Sequence, residues 1–211
     1  MCIYLIRHAQ TVANLKDEIQ GQLPGEISEL GWKQAQELGK RFQNTHLDAI
    51  ITSDLRRAVQ TASCVARYHN ITPQKEPLLR EQHLGIYQGR PTQEAVSGGQ
   101  QESELFIEPP EGESIADLLR RAKKFWTLYA PEFDGKTTMI VSHGVFLNIL
   151  LLVIFDKPMP DEPPKALGNA SVTMIQKNST SQYNAVVLND TSHLEALLGV
   201  QRQPEVGQLG G

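Results

Sequence analysis

Three short segments set arginine and histidine where an anion could be held and attacked: Arg7-His8 near the start, Arg56-Arg57 further on, and Ser142-His143-Gly144 in the last third. Guanidinium forks match phosphate oxygens bidentately and stay charged at any working pH. A neutral imidazole can attack phosphorus, and nearby guanidiniums lower its pKa and so help to keep the ring unprotonated. A second histidine could donate to the equatorial oxygens as charge shifts in the transition state. Two histidines and at least two arginines converging on one edge would make a phosphoryl site.

The elements that must position these residues are read from hydrophobic periodicity. Ile3 to Ile6, Ala49 to Ile51 and Thr138 to Val141 are short apolar runs, each followed by a polar break and a helical pattern. The first run delivers Arg7 and His8, the second leads to Arg56 and Arg57 on a first helical turn, and the third delivers Ser142, His143 and Gly144. Leu55, Ala58, Val59, Ala62, Val65 and Ala66 fall at helical spacing, with Thr52, Ser53 or Asp54 available as N-cap. Ser28 to Phe42 is helical in pattern, and so is Ile115 to Tyr129, with Ser114 and Asp117 in capping-box spacing. Val145 to Phe155 reads as a buried helix, and Ser171 to Ile175 and Ala185 to Leu188 as later strands.

Alternating strands and helices predict an α/β fold, a three-layer α/β/α sandwich with a mostly parallel central sheet. In such sheets ligands bind beyond the carboxyl ends of the strands, where helix N-termini point free N–H groups at them.

Composition narrows the function. A chain of 211 residues is long enough for one domain with its own core. That domain is expected over residues 1–195, with 196–211 as a flexible tail. Cys2 and Cys64 have no Cys or His at ligand spacing, so neither a disulfide framework nor a zinc knuckle is indicated, which suits the cytoplasm. The opening residues read as a strand rather than a signal peptide, and no apolar run approaches the ~20 residues that would cross a bilayer. A net charge of −4 gives no basic footprint for nucleic acid. The expected partner is a small phosphorylated substrate, with no nucleic acid, membrane, metal or cofactor; a homodimer is compatible with the sequence.

These residues also carry a resemblance. Arg7-His8-Ala9-Gln10-Thr11 with Asn14 resembles the Arg-His-Gly-x-Thr-x-x-Asn motif of the histidine phosphatase superfamily, in its phosphoglycerate mutase-like branch. Ser53-Asp54-Leu55-Arg56-Arg57-Ala58-Val59-Gln60-Thr61-Ala62 is similar to the second motif. Leu79-Arg80-Glu81 with Gly85 and Gly89 resembles the acid-bearing loop, and Ser142-His143-Gly144 the last motif. The resemblance implies His8 as nucleophile, a phosphate pocket of Arg7, Arg57 and His143 with Gly144 beside it, Glu81 as proton donor, and Asn14 as a further phosphate contact. Gln20-Gly21 resembles the segment where the family's mutases touch substrate, although the Gln-Leu-Pro-Gly that follows departs from their Asp-x-Pro-Leu. Ala9 stands where the family usually has Gly, and its methyl could crowd the phosphate or restrict the backbone.

Rival chemistries are weaker. A metal site from His8 and His143 lacks closely spaced ligand partners, and adjacent arginines would repel a cation. Ser142 has no Gly-x-Ser-x-Gly elbow, and Gly98-Gly99 has no Walker lysine. His46, His69, His83 and His193 read as surface or core residues, Arg56 as solvated, and Arg120-Arg121 as the solvated outer side of an amphipathic helix.

The expected activity is that of a metal-independent phosphatase on small phosphate monoesters, working through phosphohistidine. The alternatives are a cofactor-dependent phosphoglycerate mutase and, because of Ala9, an inactive phospholigand-binding module. Hydrolysis is favoured over mutase chemistry by the short stretch Gln93 to Glu104, which offers little lid against water.

Overall fold

The apolar runs that precede the candidate residues become parallel neighbours in one sheet. In the computed structural model, which describes residues 1–93, 109–160, 166–178 and 180–199, β1 (Cys2–Arg7) pairs in parallel with β4 (Thr137–Ser142), and β4 with β2 (Ala49–Thr52). The registers set Arg7 opposite Ser142 and Thr52 opposite Val141, so the three strands end at one edge. A two-residue strand, β3 (Gln74–Lys75), extends the sheet beyond β2. On the other side β5 (Val172–Lys177) and β6 (Tyr183–Asp190) are antiparallel, which gives the order β3-β2-β4-β1-β5-β6. β3 has no apolar signal to betray it: both residues are exposed and polar.

Alternation along the strands sends side chains to two layers. Ile3, Leu5 and Ile140 face one core with Leu118, Phe125, Phe146 and Leu150, from the helices α4 (Ile115–Tyr129) and α5 (Gly144–Ile154). Ile6, Met139 and Val141 face a second core with Leu38, Phe42, Ala58 and Val65, from α2 (Glu29–Phe42) and α3 (Arg56–Ala66). Helices thus cover both faces of a mostly parallel sheet, as the pattern predicts. Two short α-helices complete the set among the described residues: α1 (Val12–Leu15) just after the His8 segment, and α6 (Glu195–Leu198), after which Gly199 adopts a left-handed conformation. Among the described residues no helix is long and apolar enough to cross a membrane. The stretch 94–104 that argued for easy access of water lies outside the described residues, as do Gly98-Gly99 and residues 200–211.

One helix start departs from expectation in a way that bears on the site. The N-cap of α3 is Leu55, with no side-chain cap bond. Ser53 is drawn instead to His143, and Asp54 forms an ion pair with Arg80 at 2.5 Å. Of the three expected caps, Ser53 and Asp54 are spent on tertiary contacts, and the Thr52 hydroxyl donates to the Ser53 carbonyl at 3.1 Å.

Helix α2 starts hard against the His8 segment. Ser28 caps it, accepting from Gly31 N at 3.0 Å and donating to Gln10 Oε1 at 2.8 Å. A Cβ at Gly31 would lie 2.0 Å from the Gln10 carbonyl oxygen, a backbone atom that cannot swing aside. Gly31→Ala is therefore expected to destabilise the fold by about 1–3 kcal/mol, the usual scale of overpacking. An unchanged urea midpoint would show that the helix and the Gln10 loop are less tightly docked than this.

Candidate active site

His8 follows β1 directly, its backbone N–H bonded to the Ser142 carbonyl at 2.9 Å, and only 3% of the residue is exposed. Its Nδ1–H donates to the Ala9 carbonyl at 2.8 Å, because a carbonyl can only accept. That bond fixes the tautomer and leaves the lone pair on Nε2. Burial first, then the charges of Arg57 and Arg7, hold the imidazole well below its ordinary pKa, so the ring is neutral. The sequence reading credited the arginines alone; burial is the larger cause.

His143 follows β4 directly, fully buried, with its ring centroid 5.2 Å from that of His8. Its Nδ1 accepts from Arg57 Nε at 3.2 Å, which requires the proton on Nε2, and Nε2 donates to Ser53 Oγ at 2.8 Å. Both nitrogens are thus engaged within the protein, which differs from the expectation that His143 points at phosphoryl oxygens. Burial and the neighbouring charges keep it neutral as well.

Arg57, 1% exposed, sits in the first turn of α3 and is gripped from three sides. Besides Nε, its Nη1 donates to the Leu23 carbonyl at 3.0 Å and Nη2 to the Gly21 carbonyl at 2.7 Å. A guanidinium has five N–H groups, so two are left to meet an anion. Burial lowers its pKa to about 10, which keeps it charged at neutral pH. Arg7, at the end of β1, donates Nη1 to the Leu167 carbonyl, while its buried Nε has no partner. A Cβ at Gly144 would stand 3.4 Å from that Nε, so the guanidinium lies directly beside the start of α5.

Glu81 arrives from a loop rather than a strand. Its carboxylate accepts from Val145 N at 3.1 Å and Phe146 N at 2.9 Å, the free N–H groups of the first turn of α5, and from Gln82 N at 3.0 Å. It also exerts charge on both Arg7 and Arg57. Asn14 accepts on Oδ1 from Thr11 N at 3.1 Å and from Asn169 Nδ2 at 3.3 Å. Gln20 Oε1 lies 2.9 Å from the Thr11 hydroxyl. Gly21 turns with φ +51, and a Cβ there would strike Gln88 Oε1 at 2.1 Å.

Ala9 fits without strain. It is absent from the residues with positive φ, its N–H donates to Thr61 Oγ1 at 3.0 Å, and its methyl is buried with Ile27, Ala35 and Cys64.

Several residues of this assembly escaped the sequence reading. Ser53, Leu167, Asn169 and Gln22 all bond to it: Asn169 Nδ2 donates to the His8 carbonyl at 3.1 Å, and Gln22 Nε2 to the Glu81 carbonyl at 3.0 Å. Loop amides and carbonyls carry no periodic pattern, so no signal distinguishes them. Arg121 had one and is a correction: it falls three residues after buried Leu118 and four before buried Phe125, on the packed face of α4, whereas Arg120 is indeed exposed. Among the described residues no three His, Cys, Asp or Glu side chains gather as a metal set.

Comparison with known proteins follows the same lines. Residues 3–191 match the model of the histidine phosphatase superfamily (branch 1). The chain belongs to that superfamily. A probable phosphoglycerate mutase GpmB of Yersinia pestis (strain Pestoides F) is 30% identical, the match covering 92% of this chain and 94% of that protein. The structure of YhfR from Bacillus stearothermophilus superposes with a TM-score of 0.82 at 31% identity, covering 92% of this chain and 99% of the other. A mycobacterial glucosyl-3-phosphoglycerate phosphatase, solved with VO3, gives 0.81 at 28% identity, covering 90% and 99%. This histidine phosphatase superfamily member therefore has relatives bearing both mutase and phosphatase names, which together support an enzyme acting on phosphate.

The two buried neutral histidines make stability depend on pH. Each has a folded pKa below its unfolded 6.5, and His193 behaves alike, pushed down to about 4 by burial and by Arg41. Below pH 6.5 the unfolded chain therefore binds protons that the folded chain refuses, and stability falls as pH falls towards the folded values. Two to three such protons predict a slope of roughly 3 kcal/mol per pH unit just below pH ~6. Urea titrations across that range measure it, and a flat profile would mean that the rings are not held neutral.

Proposed function

We propose that this protein is a phosphatase of small phosphate monoesters that works through a phosphohistidine on His8. The observation that carries the reading is the His8 tautomer: Nδ1–H is tied to the Ala9 carbonyl, and Nε2 keeps its lone pair in a ring that burial and two guanidiniums hold neutral. A nucleophile on phosphorus needs that lone pair at neutral pH.

In the first step His8 Nε2 bonds to phosphorus as the ester P–O bond breaks, and the departing alcohol takes a proton from Glu81. Glu81 Oε2 accepts one backbone N–H whereas Oε1 accepts two, so Oε2 is the oxygen with room for the proton. Arg7 Nε and the two spare N–H groups of Arg57 meet the charge spread over the equatorial oxygens. His143 acts by holding Arg57, with Asn14 and the Gln20-Gly21 segment at the substrate side. In the second step Glu81 takes a proton from water, the water oxygen bonds to phosphorus, the P–N bond breaks, and phosphate leaves with His8 neutral again. The guanidiniums would repel a cation, so the step is assigned no metal.

The name of the Yersinia relative favours a second reading, phosphoglycerate mutase; there the phosphoryl group on His8 would return to a substrate hydroxyl instead of water. Hydrolysis is preferred because a solved neighbour of 28% identity is named a phosphatase; the accommodated Ala9 speaks against the inactive binding module.

Three measurements test the proposal. Phosphate release from several monoesters is expected to exceed interconversion of 3- and 2-phosphoglycerate primed with bisphosphoglycerate, and His8→Ala is expected to abolish both release and phosphohistidine labelling trapped in alkali. Primed interconversion outrunning every hydrolysis would choose the mutase, and undiminished release by the variant would end the histidine mechanism. Glu81→Gln is expected to slow hydrolysis by about 10²- to 10⁴-fold for alkyl esters, and less for a nitrophenyl ester, whose leaving group needs no proton. Little loss with any ester would remove Glu81 from the reaction.

A further inference from the structure

The Glu81 loop is outside the sheet, and one side chain from α4 ties it down. Arg121 Nε and Nη2 fork onto Glu113 Oε1 and Oε2 at 2.8 and 2.6 Å. Nη1 donates to the carbonyls of Leu78 and Arg80 at 2.9 and 2.6 Å, and Nη2 also donates to the carbonyl of Glu81 itself at 3.1 Å. All five N–H groups of the guanidinium are used. Its side chain is only 14% exposed, and Cζ stands 4.9 Å over the ring of Phe146.

We propose that Arg121 is a positioning residue for proton transfer by Glu81, which rests on the role given to Glu81 above. Three loop carbonyls and the α5 N-terminus meet around this one group. The Glu81 carbonyl is held from the α4 side by Arg121, while its carboxylate is held by the N–H groups of Val145 and Phe146. Phe146 belongs to both grips, since its ring lies under the guanidinium and its N–H meets Glu81 Oε1. Glu113 closes the far side: its carboxylate accepts from His83 N at 3.3 Å, and its carbonyl from Gln82 Nε2 at 2.7 Å. Arg121 touches neither His8 nor Arg57 by any of its five bonds, so it has no direct part in binding phosphate. Loss of the guanidinium leaves the Leu78, Arg80 and Glu81 carbonyls without this donor and frees the loop to move. A lysine cannot span Glu113 and three carbonyls at once.

The experiment compares turnover of alkyl, aryl and nitrophenyl phosphates by wild type, Arg121→Met, Arg121→Lys, Glu81→Gln and the Arg121→Met/Glu81→Gln double variant. Arg121→Met is expected to lose about 10- to 100-fold in kcat on alkyl esters, the scale of an ångström-level misplacement, and much less on the nitrophenyl ester. KM should barely move. Arg121→Lys should recover part of the loss, and the double variant should be no slower than Glu81→Gln alone.

Equal losses on all esters, or a double variant slower by the product of the two losses, would overturn the proposal and leave Arg121 a merely structural residue. Glu81→Gln on its own reports the underlying reading: if it shows no leaving-group dependence, the role of Glu81 fails and that of Arg121 with it. Should Arg121→Met not fold, Glu113→Gln, which weakens the fork while keeping its shape, is held to the same leaving-group criterion.

Discussion

Two guanidiniums brought out of water into one pocket are the constraint that the rest of the site answers. Taking a charge into a protein interior costs several kcal/mol per ion, and like charges add repulsion to that cost. Burial and mutual repulsion do depress Arg57, and Glu81 offsets part of the effect on both arginines. The remainder of the answer is backbone: Leu23, Gly21 and Leu167 turn their carbonyls inward to accept from Arg57 and Arg7. The site is then stable enough to fold yet still short of negative charge, with N–H groups to spare. A phosphate dianion would complete the balance. Burial first, and the same positive field second, hold His8 and His143 neutral.

Much of this was legible in the sequence because strands announce themselves by apolar runs and deliver their next residue to a fixed edge. Arg7 ends β1, and His8 and His143 each come one residue after a buried strand, so identifying β1 and β4 locates them. Arg57 follows from the helix that starts after β2. What could not be read is whatever works through backbone carbonyls and loop amides, since any residue type offers a carbonyl. Leu23 and Leu167 hold the arginines with atoms that every residue except in side chain shares. The expected caps of α3 fail for a related reason: local propensity favours Thr52, Ser53 or Asp54, but Thr52 turns to the Ser53 carbonyl, and His143 and Arg80 compete for the oxygens of Ser53 and Asp54. Arg121 was misread because charge was weighed above helical phase. Its position on the packed face of α4 required a buried partner, and Glu113 with three carbonyls supplies it.

The antiparallel β5 has a role that a wholly parallel sheet could not fill. Because it runs against β1, its beginning lies beside the end of β1, with Ile6 opposite Val172. The turn that leads into it is therefore carried to the same edge as Arg7 and His8. Leu167 accepts from Arg7 there, while Asn169 and Ala170 both donate to the His8 carbonyl, at 3.1 and 3.2 Å. Asn169 also reaches Asn14, joining the two ends of the motif that follows β1. A parallel strand in that place would bring its end to this edge and its preceding turn to the opposite one.

Glu81 shows the complementary limit of strand-edge placement. Parallel strands can supply groups that must stay together, such as two arginines and two histidines, because register fixes their separation. Glu81 comes from a loop, which can reach across from beyond the strand ends. The loop then lacks a ladder to hold it, so its order must come from elsewhere. Here the first turn of α5 takes the carboxylate, at the helix end whose dipole favours negative charge, and Arg121 takes the carbonyls behind it. Since α5 begins at the residue after His143, the helix that holds the Glu81 carboxylate is continuous, through His143, with β4. Glu81 is thus held by the strand-to-helix junction that also carries His143, while its loop is held from behind by Arg121.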